Sequence, residues 1–373
     1  MRVIIAGSGF GGLQAALELR GKKEVTEIII IDSSQTMIYQ PDLVYINKGS
    51  NYINKKSINL KKLYKSGFSK KQSIKFYNER VVEVRPRDNV LVTSNRKLDF
   101  DYLILAFGSV NNYRGIIGSK YSLCLKTPSD YLKVKSEIDD LFLKAKHYSK
   151  PSKVVLVGGG VTGVELAAEI KKKVGKYLDV ILTHHANRLM NSFPYKVSVY
   201  VQKTLKKLGV EIMLGKLAKR FEKGVVVFND GLTIDASLII WCGGVKPNPV
   251  NYECALRTNQ HGAIMVNDYL YSPSKKNIYS VGDGAYQFQN PQPMTAQNAI
   301  HQGKHAAKNI LADIREEKLI PFVSKNNSYL VSFGLVGVLS GNKLLKGKFP
   351  LLMKSVVSSL FLFIKRRRVK WWH

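Results

Sequence analysis

The 373-residue sequence predicts an α/β protein built from two Rossmann-like, open parallel-sheet units, followed by an amphipathic C-terminal region. Three observations carry this prediction. A β-branched run enters a glycine-rich turn and a helix at residues 2–19, the same order returns at 152–173, and residues 349–373 combine an apolar helical stripe with a basic, Trp-containing end.

The first unit opens on RVIIA, uninterrupted and β-branched as a parallel strand buried on both faces should be. Gly7, Gly9 and Gly12 then form GxGxxG at the head of an amphipathic helix. In such a turn the first glycine permits the bend and the second lets the backbone approach a pyrophosphate. The third lets the helix pack against the strand, with its N-terminus toward the phosphate charge. The next strand, EIIIID, ends at Asp32, twenty residues past Gly12, where a carboxylate can accept the ribose hydroxyls of a dinucleotide.

The repeat, SKVVLVGGGVTGVELAAEIKKK, carries Gly158, Gly160 and Gly163 in the same places. Its following strand ends at His184 and His185 instead of an acid. An imidazole can still meet a ribose, and a cation tolerates a 2′-phosphate, so NADH and NADPH both stay open; a capped surface histidine is the alternative. One chain holding two dinucleotides is most simply a flavoenzyme that passes hydride from a nicotinamide to a flavin.

Composition narrows the partners. Lys and Arg number 58 against 27 Asp and Glu, a formal charge of +31, which calls for an anionic partner surface or reflects a lysine-rich solvated exterior. The three cysteines, Cys124, Cys242 and Cys254, form no CxxC pair, which argues against a disulfide framework or a metal site and fits a reducing compartment. No secretory signal and no apolar run of spanning length are read.

Further segments extend the pattern: IYQPDLVYINKGS (38–50), DYLILAFGS with Gly108, LKTPSDYLKVK (125–135), IIWCGGVKPNP (239–249), VGDGA with Asp283, and AQNAIHQ (296–302). Together with the two glycine-rich turns they resemble, over essentially the whole chain, the type II NADH:quinone oxidoreductases of the two-dinucleotide-domain flavoproteins. Three positions depart from that family: Phe107 replaces a Thr, His184 the second acid, and His301 the usual Gln of the quinone motif.

The resemblance implies FAD held by Gly7, Gly9, Gly12, Asp32, Gly108, Asp283 and Ala296, and NADH or NADPH held by Gly158, Gly160, Gly163 and His184. It implies catalytic roles for Glu165 near the nicotinamide and quinone, and for Gln297 and His301 at the quinone head group. A helix-capping carboxylate and a satisfied helix histidine are the plainer readings of Glu165 and His301. The implied division is a flavin domain from 1–115 and 268–325, a nucleotide domain at 116–267 inserted between, and a membrane-binding region at 326–373.

In that last region Leu352, Met353, Val356, Val357, Leu360, Phe361 and Ile364 share one helical face, and Lys354, Ser358 and Lys365 the other. The apolar run is too short to span a bilayer. It suits a helix lying in the interface, with KRRRVK on anionic head groups and Trp371 and Trp372 at their level. The expected protein is a peripheral enzyme on the cytoplasmic face of the cell membrane, passing electrons from NAD(P)H through FAD to a membrane quinone; the same helix could instead pack on the protein's own core or serve a homodimer. Two rivals are kept. A sulfide:quinone oxidoreductase-like enzyme needs two cysteines flanking the flavin, and a redox-regulated flavoprotein could bind nucleic acid through its basic surface. No helix-turn-helix, zinc spacing or RNA-binding aromatic motif supports the latter.

Overall fold

The computed structural model describes residues 1–65, 72–148, 152–249, 256–324, 329–341 and 344–367. The elements that position the site are β1 (Arg2–Ala6), α1 (Phe10–Leu19), β2 (Glu27–Ile31), β3 (Ser73–Tyr77), β4 (Tyr102–Leu105), α2 (Pro128–Tyr148), β5 (Lys153–Val157), α3 (Val161–Val174), β6 (Asp179–Thr183), α4 (Tyr195–Leu208), β7 (Glu211–Met213) and β8 (Leu238–Trp241). They continue with β9 (Tyr271–Ser272), β10 (Lys275–Ser280), α5 (Ala296–Ile314), β11 (Tyr329–Phe333), β12 (Val336–Ser340), β13 (Leu344–Gly347) and α6 (Lys348–Arg367).

The first sheet has the order β9-β10-β4-β1-β2-β3. Strands β10, β4, β1, β2 and β3 run parallel, and the short β9 caps the edge in antiparallel. Ile5 lies between Ile30 and Ile104, and all three are fully buried, which is why the runs RVIIA and EIIII are apolar without alternation. Chain from after residue 270 thus completes a sheet begun at residue 2. The second sheet, β7-β6-β5-β8, is wholly parallel and encloses a core of its own, with Leu156 between Leu182 and Ile240.

The segment at 329–341, apolar and glycine-rich in sequence, is not a free surface. Strands β11, β12 and β13 form an antiparallel meander whose Val331, Phe333 and Val338 join the core of the second unit. Helix α6 follows directly.

The orientation of α6 differs from simple amphipathic docking on a core. Lys354, Ser358 and Lys365 turn inward and are almost wholly buried, while Leu352 (64% exposed), Val356 (54%), Leu360 (52%) and Phe363 (49%) point outward. The inward positions recur at three- and four-residue spacing, one helical stripe, but it is the polar stripe. Lys354 Nζ pairs with Glu165 Oε1 at 2.6 Å. Ser358 Oγ donates to Asp42 Oδ2 at 2.5 Å and accepts from Lys56 Nζ at 2.8 Å. Lys365 donates to Gln14 Oε1 on α1. The helix is therefore seated on both units by hydrogen bonds, ion pairs and the buried Leu362 with Phe361 beside it, which leaves Leu352, Val356 and Leu360 exposed. Among the described residues no helix is long and apolar enough to cross a membrane. Arg368, Val369, Lys370 and the two tryptophans of the C-terminal end lie outside the described residues, as does Cys254.

Candidate active site

The two glycine-rich turns are built alike. A β-carbon on Gly7 (φ +103°) would meet Ala106 O at 2.2 Å, and one on Gly158 (φ +122°) would meet Cys242 O at 2.5 Å. Both turns therefore need the left-handed backbone and the absence of a side chain. Gly12 and Gly163 fill the other tight place: a β-carbon there would lie 1.9 Å from Gly7 O and from Gly158 O, respectively. Gly9 and Gly160 have nothing within 4 Å, so the middle glycine of each turn faces open space at a helix N-terminus. That is the geometry a pyrophosphate requires.

A cavity of about 970 Å³ begins at the first turn and passes between the units. Its wall includes Gly7, Gly9 and Asp32 at one end. Asp32 Oδ2 accepts from Ser8 N at 2.6 Å and Oδ1 from Ser34 N at 2.8 Å, so backbone N–H groups fix the carboxylate. Burial nevertheless pushes its pKa above the ordinary value, against the pull of these bonds.

Further along the wall lie Gly108 and Asp283. Ser109 Oγ donates to Asp283 Oδ2 at 2.5 Å, and Lys126 Nζ donates to Ser109 Oγ at 2.8 Å. Ala296 and Gln297, in the first turn of α5, complete this side. Thr295 caps that helix, its hydroxyl accepting from Asn298 N at 3.2 Å. Helices α1 and α5 touch so closely that a β-carbon on Gly303 would lie 2.1 Å from Gly11 O, which brings both N-termini to the cavity.

His301 is half-buried on α5 and is not part of the cavity wall. Its neighbour Gln302 is buried instead, and Oε1 accepts from Gly282 N at 2.7 Å. Gln297 and His301 are thus not brought to the cavity together.

Glu165 reaches the far wall together with Lys354, Val357 and Phe361 of α6. Its Oε1 accepts from Lys354 Nζ and, at 2.8 Å, from Ser332 N. One helical turn on, Glu169 is buried with Oε2 lacking a hydrogen-bond partner, and burial raises its pKa to about 7. Sequence reading missed Lys354 as a site residue; nothing local marks a lysine that meets its carboxylate 189 residues away. Phe10, Tyr39 and Phe361 form a ring cluster with centroids 5.3 to 5.7 Å apart, which ties α1, the loop after β2 and α6 together.

Gly158, Gly160, Gly163 and His184 belong to the second turn and its strand end, outside the wall of the large cavity. Gly159 N donates to His184 Nδ1 at 3.1 Å, so the ring takes the place of an acid in binding the turn. The first turn and the fixed Asp32 open on the cavity, and Val161 and Thr162, just after the second turn, also line it, an arrangement that suits one dinucleotide on each turn. Among the described residues no cluster of His, Cys, Asp or Glu could hold a metal ion.

Known proteins share this plan. The type II NADH:quinone oxidoreductase of Haemophilus influenzae is 27% identical over 94% of this chain and 88% of its own length. Ferroptosis suppressor protein 1 of Xenopus tropicalis is 28% identical over 90% of this chain and 86% of its own. The structure of NDH2 from Plasmodium falciparum in complex with NADH superposes with a TM-score of 0.86 at 19% identity, covering 100% of this chain and 98% of that one. The sulfide:quinone oxidoreductase from Aquifex aeolicus gives 0.82 at 19% identity, over 98% and 92% of the two chains. A family model described as pyridine nucleotide-disulphide oxidoreductase matches residues 1–303. On that match, and on the paired glycine turns that explain it, the chain belongs to the pyridine nucleotide-disulphide oxidoreductase family.

Proposed function

We propose that this protein is an NAD(P)H:quinone oxidoreductase of the type II kind, resting on a membrane surface at the cytoplasmic face. The observation that carries the reading is the double position of Val357, which is 46% exposed on the apolar face of α6 and also lines the cavity. The cavity therefore reaches the uncovered apolar face, which is where a substrate dissolved in lipid would enter. An outward row of Leu352, Val356, Leu360 and Phe363 suits the acyl boundary, and the basic chain end suits anionic head groups.

FAD held at this site would supply the redox chemistry that links a reduced nicotinamide to a quinone. The chain's own residues hold and orient. The first turn and Asp32 would hold the adenosine end, and Asp283, fixed by Ser109 and Lys126 on the cavity wall, would hold a more distant part of the cofactor. Gln297 offers donor and acceptor groups at the cavity wall. Lys354 Nζ donates to Glu165 Oε1 at the wall, and Glu169, whose pKa burial raises to about 7, carries a proton that can leave at physiological pH.

The sulfide reading needs a nucleophilic thiolate at the flavin. Burial raises Cys124 and pushes the Cys242 thiol up to about 12, so neither is disposed to ionise. The purified protein should be yellow, bleach anaerobically with NADH or NADPH, and recolour with a short-chain quinone. Bleaching by sulfide alone, with no response to either nucleotide, would replace this reading with the sulfide enzyme.

A further inference from the structure

The strand end that selects the nucleotide in the second unit lacks any carboxylate. His184 closes β6, and the chain continues as His185, Ala186, Asn187 and Arg188. The neighbouring strand β7 continues as Leu214, Gly215, Lys216 and Leu217. Backbone bonds hold the two segments side by side: His184 N donates to Met213 O, Lys216 N to His184 O, and Gly215 N to Ala186 O. In dinucleotide folds an acid at this strand end accepts the ribose hydroxyls, and its charge repels a 2′-phosphate.

Here the position belongs to an imidazole that is 6% exposed. Because Nδ1 accepts from Gly159 N, the neutral ring carries its proton on Nε2, which is buried on the side of Asn191. Burial, then the neighbouring His185, lowers its pKa, so the ring stays neutral at physiological pH. His185 is exposed beside it, and the ring centroids are 4.5 Å apart. The Arg188 guanidinium is turned away and used structurally, donating to Phe193 O and to Ser198 Oγ, each at 2.8 Å. Lys216, whose backbone N–H donates to His184 O, pairs its ammonium with the exposed Asp230. The exposed His185 imidazole and the Asp230-paired Lys216 thus lie at the two strand ends, and His184 brings no negative charge to the position where an acid would meet the adenosine ribose.

We propose that the second nucleotide site accepts a 2′-phosphorylated adenosine, so that the protein uses NADPH at least as well as NADH, with His184 as the specificity-determining residue. The inference rests on reading the second unit as the nicotinamide-dinucleotide site. The 2′-phosphate takes no part in hydride transfer; it replaces a hydroxyl that an acid would otherwise claim.

The test separates binding from turnover. Calorimetric titration of the FAD-loaded protein with 2′,5′-ADP and with 5′-AMP reads the ribose site directly, without quinone or catalysis. The expected result is 2′,5′-ADP binding at least as tightly as 5′-AMP, with the advantage shrinking as salt is raised. His184→Asp should move the ratio at least tenfold toward 5′-AMP, and His185→Ala, at an exposed position, should move it in the same direction by a smaller factor. Anaerobic bleaching by NADPH and NADH should follow the same order. A wild-type preference for 5′-AMP of more than tenfold, or an unchanged ratio in a folded His184→Asp protein, would overturn the proposal. Failure of both dinucleotides to bleach the flavin, with the binding ratio as expected, would instead count against the quinone-reductase reading.

Discussion

Glu165 on α3 and Lys354 on α6 meet at 2.6 Å, with side chains only 4% and 7% exposed. This pair joins the nucleotide-binding unit to the helix that carries the apolar face, and it forms part of the cavity wall. Breaking a buried pair from one side strands a charge and typically costs about 3–5 kcal/mol. Lys354→Met should therefore lower stability by about that much in denaturant melts and loosen α6, read as new proteolytic cleavage before residue 367. The double variant Glu165→Gln/Lys354→Met should recover most of the loss, because no charge remains unpaired.

That pair also marks where the sequence stops being legible. The β-branched runs at 2–6 and 153–157, the glycine spacings and Asp32 could be read directly, because strand, turn and helix signals are local and repeat in register. The two faces of α6 could be read for the same reason. Which face turns inward could not, since periodicity separates stripes without saying what each one meets. The partners of the polar stripe, Glu165, Asp42 and Gln14, lie 189, 316 and 351 residues from it in sequence. The apolar run of β11 and β12 carries no local mark of its cover either: a short apolar run looks alike whether lipid or α3 lies over it. His301 was placed by motif spacing alone, and the hydrogen bond to Gly282 went to Gln302.

Glu169 should give folding a pH signature. Its folded-state pKa, about 7, lies above the ordinary 4.5, so the fold favours the protonated acid. The stabilising contribution is then complete below about 4.5 and is lost as pH rises through about 7. At about 1.4 kcal/mol per pH unit the loss amounts to a few kcal/mol. Glu169→Gln should flatten the stability profile between pH 5 and 8 on the order of that amount, and be the more stable protein at pH 8. A wild-type profile no steeper than the variant's in that window would show that Glu169 titrates normally.

The exposed face of α6 predicts membrane attachment by surface residues alone. Val356 and Leu360 are 54% and 52% exposed, so charging them breaks no core contact. Val356→Asp/Leu360→Asp should abolish flotation with vesicles containing anionic lipid, leave FAD bound and leave the melting temperature within a few degrees. Turnover with a water-soluble quinone should persist, whereas turnover with a quinone dissolved in the vesicles should drop at least tenfold. Flotation that survives in the folded variant would move the membrane contact to another surface.

The wall of the cavity ranks the two polar side chains of α5. Gln297 lines it and His301 does not. Gln297→Ala should raise KM for quinone or lower kcat by tenfold or more, with flavin reduction by NADH unaffected in stopped flow. His301→Gln should change quinone reduction by less than threefold and leave its pH profile where it was. A shifted pH profile in His301→Gln would restore the histidine as a proton source.

The matched turns allow the two nucleotide sites to be disabled one at a time. Gly7 and Gly158 both hold positive φ and both face a carbonyl, so alanine at either forces the backbone to shift. With FAD assigned to the first turn and the nicotinamide nucleotide to the second, the consequences should differ. Gly7→Ala should yield a protein that folds but is isolated largely colourless, since its loss falls on FAD. Gly158→Ala should stay yellow, be reduced normally by dithionite, and recolour with quinone, while its bleaching by NADH slows by at least tenfold. Absorbance at 450 nm of the two purified variants, before and after each reductant, decides between this assignment and its reverse. A yellow Gly7→Ala protein beside a colourless Gly158→Ala one would exchange the two sites.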